Sequence, residues 1–90
     1  MYYTYVLRSA KDNKLYIGHT GNLRERFKQH NSNNVFSTKG RAPLKIIYYE
    51  ACLNIMDAQA REKYLKSGMG KRYIKNRLKR SLSLTGFEKA

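Results

Sequence analysis

The chain predicts a small α/β (α+β) domain, a three-stranded antiparallel sheet flanked by helices in the order ββαβαα. Three observations carry that reading. Two runs rich in aromatic and β-branched residues flank a short polar turn, as in a β-hairpin. Two later segments place apolar residues at helical spacing directly behind an asparagine, and a third short strand separates them. Ninety residues also make one small domain, with room for a single modest core and no second one.

In chain order, Tyr2–Ser9 reads as the first strand, Lys11-Asp12-Asn13-Lys14 as a polar turn and Leu15–His19 as the second strand. Alternation puts Tyr3, Tyr5 and Leu7 on one face of the first strand. On the second it separates Leu15 and Ile17 from Tyr16 and Gly18, so the register decides whether Tyr5 and Tyr16 approach. Asn22 is a good N-cap, with Glu25 three residues on as in a capping box. Leu23 and Phe27 then face the core, with Arg26 and His30 as an i, i+4 pair beside them and the helix ending near Asn31. Ser32–Pro43 reads as a polar loop, free to move or to touch a ligand, and Leu44–Glu50 as the third strand. Asn54 caps a helix in which Glu62 borders a stripe containing Ala58 and Leu65. Gly68 and Gly70 are expected to break the chain before a last helix over Arg72–Ser81, with Ile74 and Leu78 inward and Lys75, Lys79 and Arg80 outward. Residues 1–80 form the expected domain and 81–90 a frayed C-terminal tail.

Charge sets the class of partner. Nineteen Lys and Arg against six Asp and Glu give a net charge of +13, well beyond what solubility requires. Phosphate polyanions are the natural counterpart. The basic residues are spread over several elements instead of opposing one apolar helix face, which favours nucleic acid over a membrane surface. No apolar run approaches the roughly 20 residues of a membrane span, and Met1–Tyr5 reads as a strand, not a signal peptide. The single cysteine, Cys52, excludes an internal disulfide and a multi-cysteine zinc site, and its apolar setting reads as a packed thiol. A cytoplasmic protein is expected.

A few residues can carry phosphodiester chemistry. Such a reaction needs a base for the nucleophile, positive charge on the phosphate and support for the leaving oxygen. Tyr16 is a candidate base, since a phenol near cations loses its proton more readily. Arg26 offers a fork of donors to a phosphate. Glu62 can hold one Mg²⁺, which needs only one or two carboxylates. Each residue taken singly also has an ordinary reading. Strand tyrosines usually pack, Arg26 could be a solvated helix charge, and Glu62 could pair with its basic neighbours. His30 would suit a helix C-terminus, and His19 an exposed turn.

Together these residues resemble the GIY-YIG nuclease superfamily over about Tyr2 to Arg80. Tyr3-Thr4-Tyr5 stands where that family has Gly-Ile-Tyr, and Tyr16-Ile17-Gly18 matches its second motif outright. Arg26 stands at the catalytic arginine, His30 where members carry His or Tyr, and His19 where several carry a polar or basic residue. Glu62 matches the metal-binding glutamate, Asn76 stands near an asparagine of some members, and Arg61–Gly68 looks like the small stand-alone branch. Tyr3 in place of the first glycine departs from the motif, although its third position carries the chemistry. The resemblance implies hydrolysis with one divalent ion, Mg²⁺ or Mn²⁺, held by Glu62. Tyr16, helped by Tyr5 or His19, would activate water, and Arg26 would stabilise the phosphate. Lys39 and Arg41 on the loop, with Lys71, Arg72, Lys75, Asn76 and Lys79 further on, are the expected nucleic-acid contacts.

The favoured activity is therefore a DNA endonuclease, acting on branched or single-stranded regions as a monomer or weak homodimer. The competing reading is a basic module that binds nucleic acid on the same scaffold without cutting it. An RNA- or ribosome-bound accessory protein stands third.

Overall fold

The computed structural model describes residues 1–84, with side chains through residue 82. Strands β1 (Tyr2–Ser9), β2 (Leu15–Thr20) and β3 (Leu44–Cys52) form one antiparallel sheet in the order β2-β1-β3. Helix α1 (Leu23–Asn31) follows the hairpin, and α2 (Ile55–Lys66), α3 (Gly68–Arg77) and α4 (Lys79–Leu84) follow β3. Tyr5, Leu7 and Leu44 pack with Leu23 and Phe27 of α1, whereas Val6 packs with Leu65 of α2 and Ile74 of α3. The alternation of β1 thus serves two small cores, one on each face of the sheet, in place of the single core expected from the chain's length.

β3 enters both cores because its pairing with β1 slips between Val6 and Leu7. Ile46 faces the α1 side, while Ile47 and Tyr48 both reach the α2–α3 side, an irregularity of the kind a β-bulge introduces. Thr4, buried in the sheet, donates from Oγ1 to the Ala58 carbonyl at 2.9 Å and so docks α2. Arg61 adds a second tie: Nε donates to both Glu50 carboxylate oxygens (3.1 and 2.9 Å), and its guanidinium stacks on Tyr64 and Tyr73.

Several expected elements are corrected. The loop after α1 is pinned, not free: it contains a 3₁₀ turn at Phe36–Thr38 between buried Val35 and Thr38. The Asn31 amide brackets Leu44, donating to its carbonyl at 3.1 Å and accepting from its N–H at 2.7 Å. Gly68 and Gly70 do not break the chain before a helix at Arg72. They open α3, with Ser67 as N-cap accepting from Gly70 N–H at 3.2 Å. The expected helix over Arg72–Ser81 is two helices, divided at Leu78. Leu82, assigned to the tail, is fully buried and lies in α4; the tail expectation for 85–90 falls outside the described residues. Cys52 is half-buried at the end of β3, with Sγ 3.3 Å from the Asn54 carbonyl oxygen.

Candidate active site

β2 is an edge strand, and a cleft of about 400 Å³ wraps around that edge from the α1 side to the α2 side. Tyr5, Tyr16, Arg26 and His30 line it together with His19 and Glu62. Lys66, Lys71 and Ser37 complete its polar rim.

The hairpin register explains how the tyrosines enter. Tyr5 lies opposite Gly18, and Tyr16 opposite Leu7, so the two rings are diagonal neighbours on the α1 face and not a direct pair. Gly18 makes room for this: a Cβ there would lie 2.7 Å from Tyr5 Cζ and closer still to the hydroxyl oxygen. The Tyr5 hydroxyl is 2.8 Å from His30 Nε2, and His30 Nδ1 is 2.7 Å from Thr38 Oγ1. His30 is only 3% exposed. Burial, reinforced by the Arg26 charge, brings its pKa down to about 4. The imidazole is therefore neutral at pH 7, and the expectation of a cation favoured by the helix end is replaced by an uncharged link in a buried chain. Burial likewise raises the Tyr5 pKa, with Arg26 acting in the opposite direction.

Tyr16 has a different neighbour from the one expected. Its hydroxyl donates to Asp12 Oδ2 at 2.7 Å, and burial together with that carboxylate raises its pKa. The nearest charge is an anion, not the cations anticipated. Asp12 is itself held by Arg41, whose Nε lies 3.3 Å from the same oxygen. Arg41, expected on nucleic acid, is an ion-pair partner of Asp12 and keeps about half of its side chain exposed.

On the α2 side the Glu62 carboxylate is engaged at both oxygens. His19 Nδ1 donates to Oε1 at 2.5 Å and Lys66 Nζ to Oε2 at 2.7 Å. Burial alone would raise the Glu62 pKa, but the bonds from Lys66 and His19 outweigh it and hold the carboxyl below its usual range. His19 is accordingly a half-buried strand residue, not an exposed turn. Among the described residues no three His, Cys, Asp or Glu side chains cluster as metal ligands. The donors fit a hard ion that keeps most of its waters, since one ionised carboxylate suffices for it and a cation, the Lys66 ammonium, already sits there.

Arg26, half-buried on α1, bonds Gln29 Oε1 at 3.1 Å, and no ion pair to a carboxylate engages it among the described residues. Its charge is available to an incoming anion. Of the other expected contacts, Lys71 lines the cleft, while Lys39, Arg72, Lys75, Asn76 and Lys79 are exposed elsewhere. Sequence reasoning missed Asp12, Lys66 and Thr38. Lys66 was signalled by its i, i+4 spacing from Glu62; Asp12 and Thr38 depend on how the turns fold back.

The neutral His30 has a measurable consequence. Its folded pKa, about 4, lies below the ordinary value of 6.5, so its contribution to stability is complete above pH 6.5 and is lost as pH falls towards 4. Charging it is expected to cost about 3 kcal/mol across that window. Urea midpoints measured from pH 7 to pH 4 should fall more steeply for the native chain than for His30→Gln; parallel curves would contradict the assignment.

A sheet-edge cleft holding two phenols, a guanidinium that no carboxylate engages among the described residues and one half-buried carboxylate offers the groups that phosphodiester chemistry needs. Residues 1–80 match the GIY-YIG catalytic domain, and the chain belongs to that family of nuclease domains. Its relatives are UPF0213 proteins. One from Clostridium perfringens is 45% identical over 67 residues, 73% of this chain and 71% of the relative. One from Pediococcus pentosaceus is 40% identical over 88 residues, 97% of this chain and 92% of the relative. One from Limosilactobacillus reuteri is 41% identical over 68 residues, covering 72% and 70%. No solved structure matches the chain significantly. No helix among the described residues is long and apolar enough to cross a membrane.

Proposed function

We propose that the chain is a metal-dependent endonuclease that hydrolyses DNA phosphodiester bonds, at branched or single-stranded structures, as a cytoplasmic monomer or weak homodimer. The observation that supports this reading is the convergence of Tyr5, Tyr16, Arg26, His19 and Glu62, from both strands of the hairpin and two helices, on one cleft. Arg26 binds the scissile phosphate, because its fork of donors has no competing carboxylate among the described residues. Tyr16 takes the proton of the attacking water as its own proton passes to Asp12, its 2.7 Å acceptor. The Tyr5–His30–Thr38 chain holds the second phenol in place and offers it a neutral imidazole. Glu62 would hold one Mg²⁺ or Mn²⁺, with His19 orienting the carboxylate; the ion would supply positive charge to the phosphate oxygens. Lys66 must release Glu62 for that.

The Lys66–Glu62 bond is also the observation that favours the second reading, a binding module that never exchanges its ammonium for a metal. A nicking assay on supercoiled and branched DNA separates the two. With Mg²⁺ or Mn²⁺ the native chain should cut, and Glu62→Gln should cut about 100-fold more slowly with DNA affinity nearly unchanged. Equal rates for both proteins, or DNA binding with no metal-stimulated cutting at all, would leave the binding module as the better account.

A further inference from the structure

Phe36 is the most exposed large apolar side chain among those described, at 96%. Isolated apolar residues on a surface are ordinary; the seat of this one is not. Its 3₁₀ turn is anchored on both sides, by Val35 at 8% exposure and Thr38 at 0%. Thr38 bonds His30 of the site at 2.7 Å, and Ser37 lines the cleft itself. Thr38 N–H donates to the Val35 carbonyl at 3.1 Å, and Gly40 N–H to Asn33 Oδ1 at 3.0 Å, so the backbone holds the ring out on a fixed mount. Its sequence neighbours are a buried valine, a serine, a threonine and an exposed lysine, which make no broad apolar patch for a protein partner. An exposed aromatic ring next in sequence to Ser37, which lines the cleft, in a chain of net charge +13, matches how proteins stack on or wedge beside nucleobases.

We infer that Phe36 stacks on an unpaired nucleobase of a DNA strand lying in the cleft, which makes single-stranded or junction DNA, not continuous duplex, the preferred substrate. The inference rests on the nucleic-acid reading of the same cleft but not on catalysis. A base in a continuous duplex is already stacked on its neighbours and presents no free face, so Phe36 contributes only where the stack is open. Because the side chain is almost wholly exposed, replacing it leaves the core untouched.

The chain contains no tryptophan, so Phe36→Trp installs a single reporter at this position. Its emission is measured in EDTA, without cleavage, while single-stranded DNA, a three-way junction and a hairpin-capped duplex are added at fixed salt. The expected result is quenching by the first two and little change with the capped duplex. In parallel, Phe36→Ala should weaken binding of the first two about tenfold, with an unchanged dependence on salt because no phosphate contact is lost. Equal quenching by all three, no quenching, or tighter stacking on RNA of the same sequence would overturn the inference. So would emission that shifts with protein concentration alone, the mark of self-association. Quenching without any metal-stimulated cutting would uphold the stacking residue while the endonuclease reading fails; cutting without quenching would do the reverse.

Discussion

Gly70→Ala is expected to destabilise the fold by about 3 kcal/mol or more, although alanine is the better helix former by about 1 kcal/mol. A Cβ at residue 70 would run into the backbone carbonyl of Tyr64 and the Cα of Leu65. Both obstacles are main-chain atoms of α2, so no rotamer change relieves them, and the two helices must move apart. Separation would loosen Leu65 and Ile74, which are fully buried together against Val6. Gly68, two residues earlier, is an internal control: a Cβ there meets nothing within 4 Å. Gly68→Ala should be neutral or stabilise by about 0.5 kcal/mol through reduced freedom of the unfolded chain. Thermal melts of both variants decide it. With about 4–8 °C per kcal/mol for a domain of this size, Gly70→Ala should melt more than about 12 °C lower. A melting point close to that of Gly68→Ala would show that α2 and α3 yield more easily than their packing implies. The site is tied to the same packing, because α2 carries Glu62 and Lys66 while α3 brings Lys71 to the cleft.

That pair of glycines also marks where the sequence misled. Local propensity reads Gly-Met-Gly as a break, and only the close approach of α2 makes glycine the residue required at position 70. Ser67 caps α3, a role that the reading of Gly68 and Gly70 as a break left out. Elsewhere local chemistry was decisive. Asn22 accepts from Glu25 N–H at 3.1 Å and Asn54 from Met56 N–H at 2.7 Å, so both helix starts were readable from their caps. Strand alternation fixed which faces Tyr5 and Tyr16 occupy, but not which residues oppose them. Register depends on how the turn closes, and there Asn13 adopts a φ of 60° and Ser9 Oγ accepts from the Lys11 N–H at 3.0 Å. Glu62, His19 and His30 were legible because their chemical types are scarce, whereas Tyr5, Tyr16 and Arg26 stood out only through the spacing they share with the GIY-YIG family. Six acids and two histidines leave few choices. Their partners were not: Asp12 meets Tyr16 only after the hairpin folds, and Thr38 meets His30 only after the loop is pinned. The signs of the pKa shifts follow from those partners, so the direction for Tyr16 could not be read before the contact was known.

Arg26→Ala is expected to reduce DNA cleavage about 1,000-fold, the scale seen when one preorganised charge on a transferring phosphate is removed. The side chain is set by elements that do not depend on it: Leu23 and Phe27 pack α1 on the sheet, and Asn22 caps the helix start. The variant should therefore fold, and its loss would be a loss of chemistry. Arg26 also acts on its neighbours, since its charge helps to lower the His30 pKa and opposes the rise at Tyr5. Removing it should raise the His30 pKa, which the ring proton shifts report by NMR without any assay of cutting. Arg26→Lys divides the two roles. A lysine keeps the positive charge, so His30 should titrate close to its native value. The planar fork is lost, however, and with it two-point binding of the phosphate, so cleavage should still fall at least about tenfold. Charge alone as the whole contribution would appear as near-native cutting by the lysine variant. The alanine variant decides the larger matter: cutting within about threefold of native would remove Arg26 from the site altogether. A fall in cutting with an unchanged His30 titration would separate its action on the phosphate from its action on the imidazole.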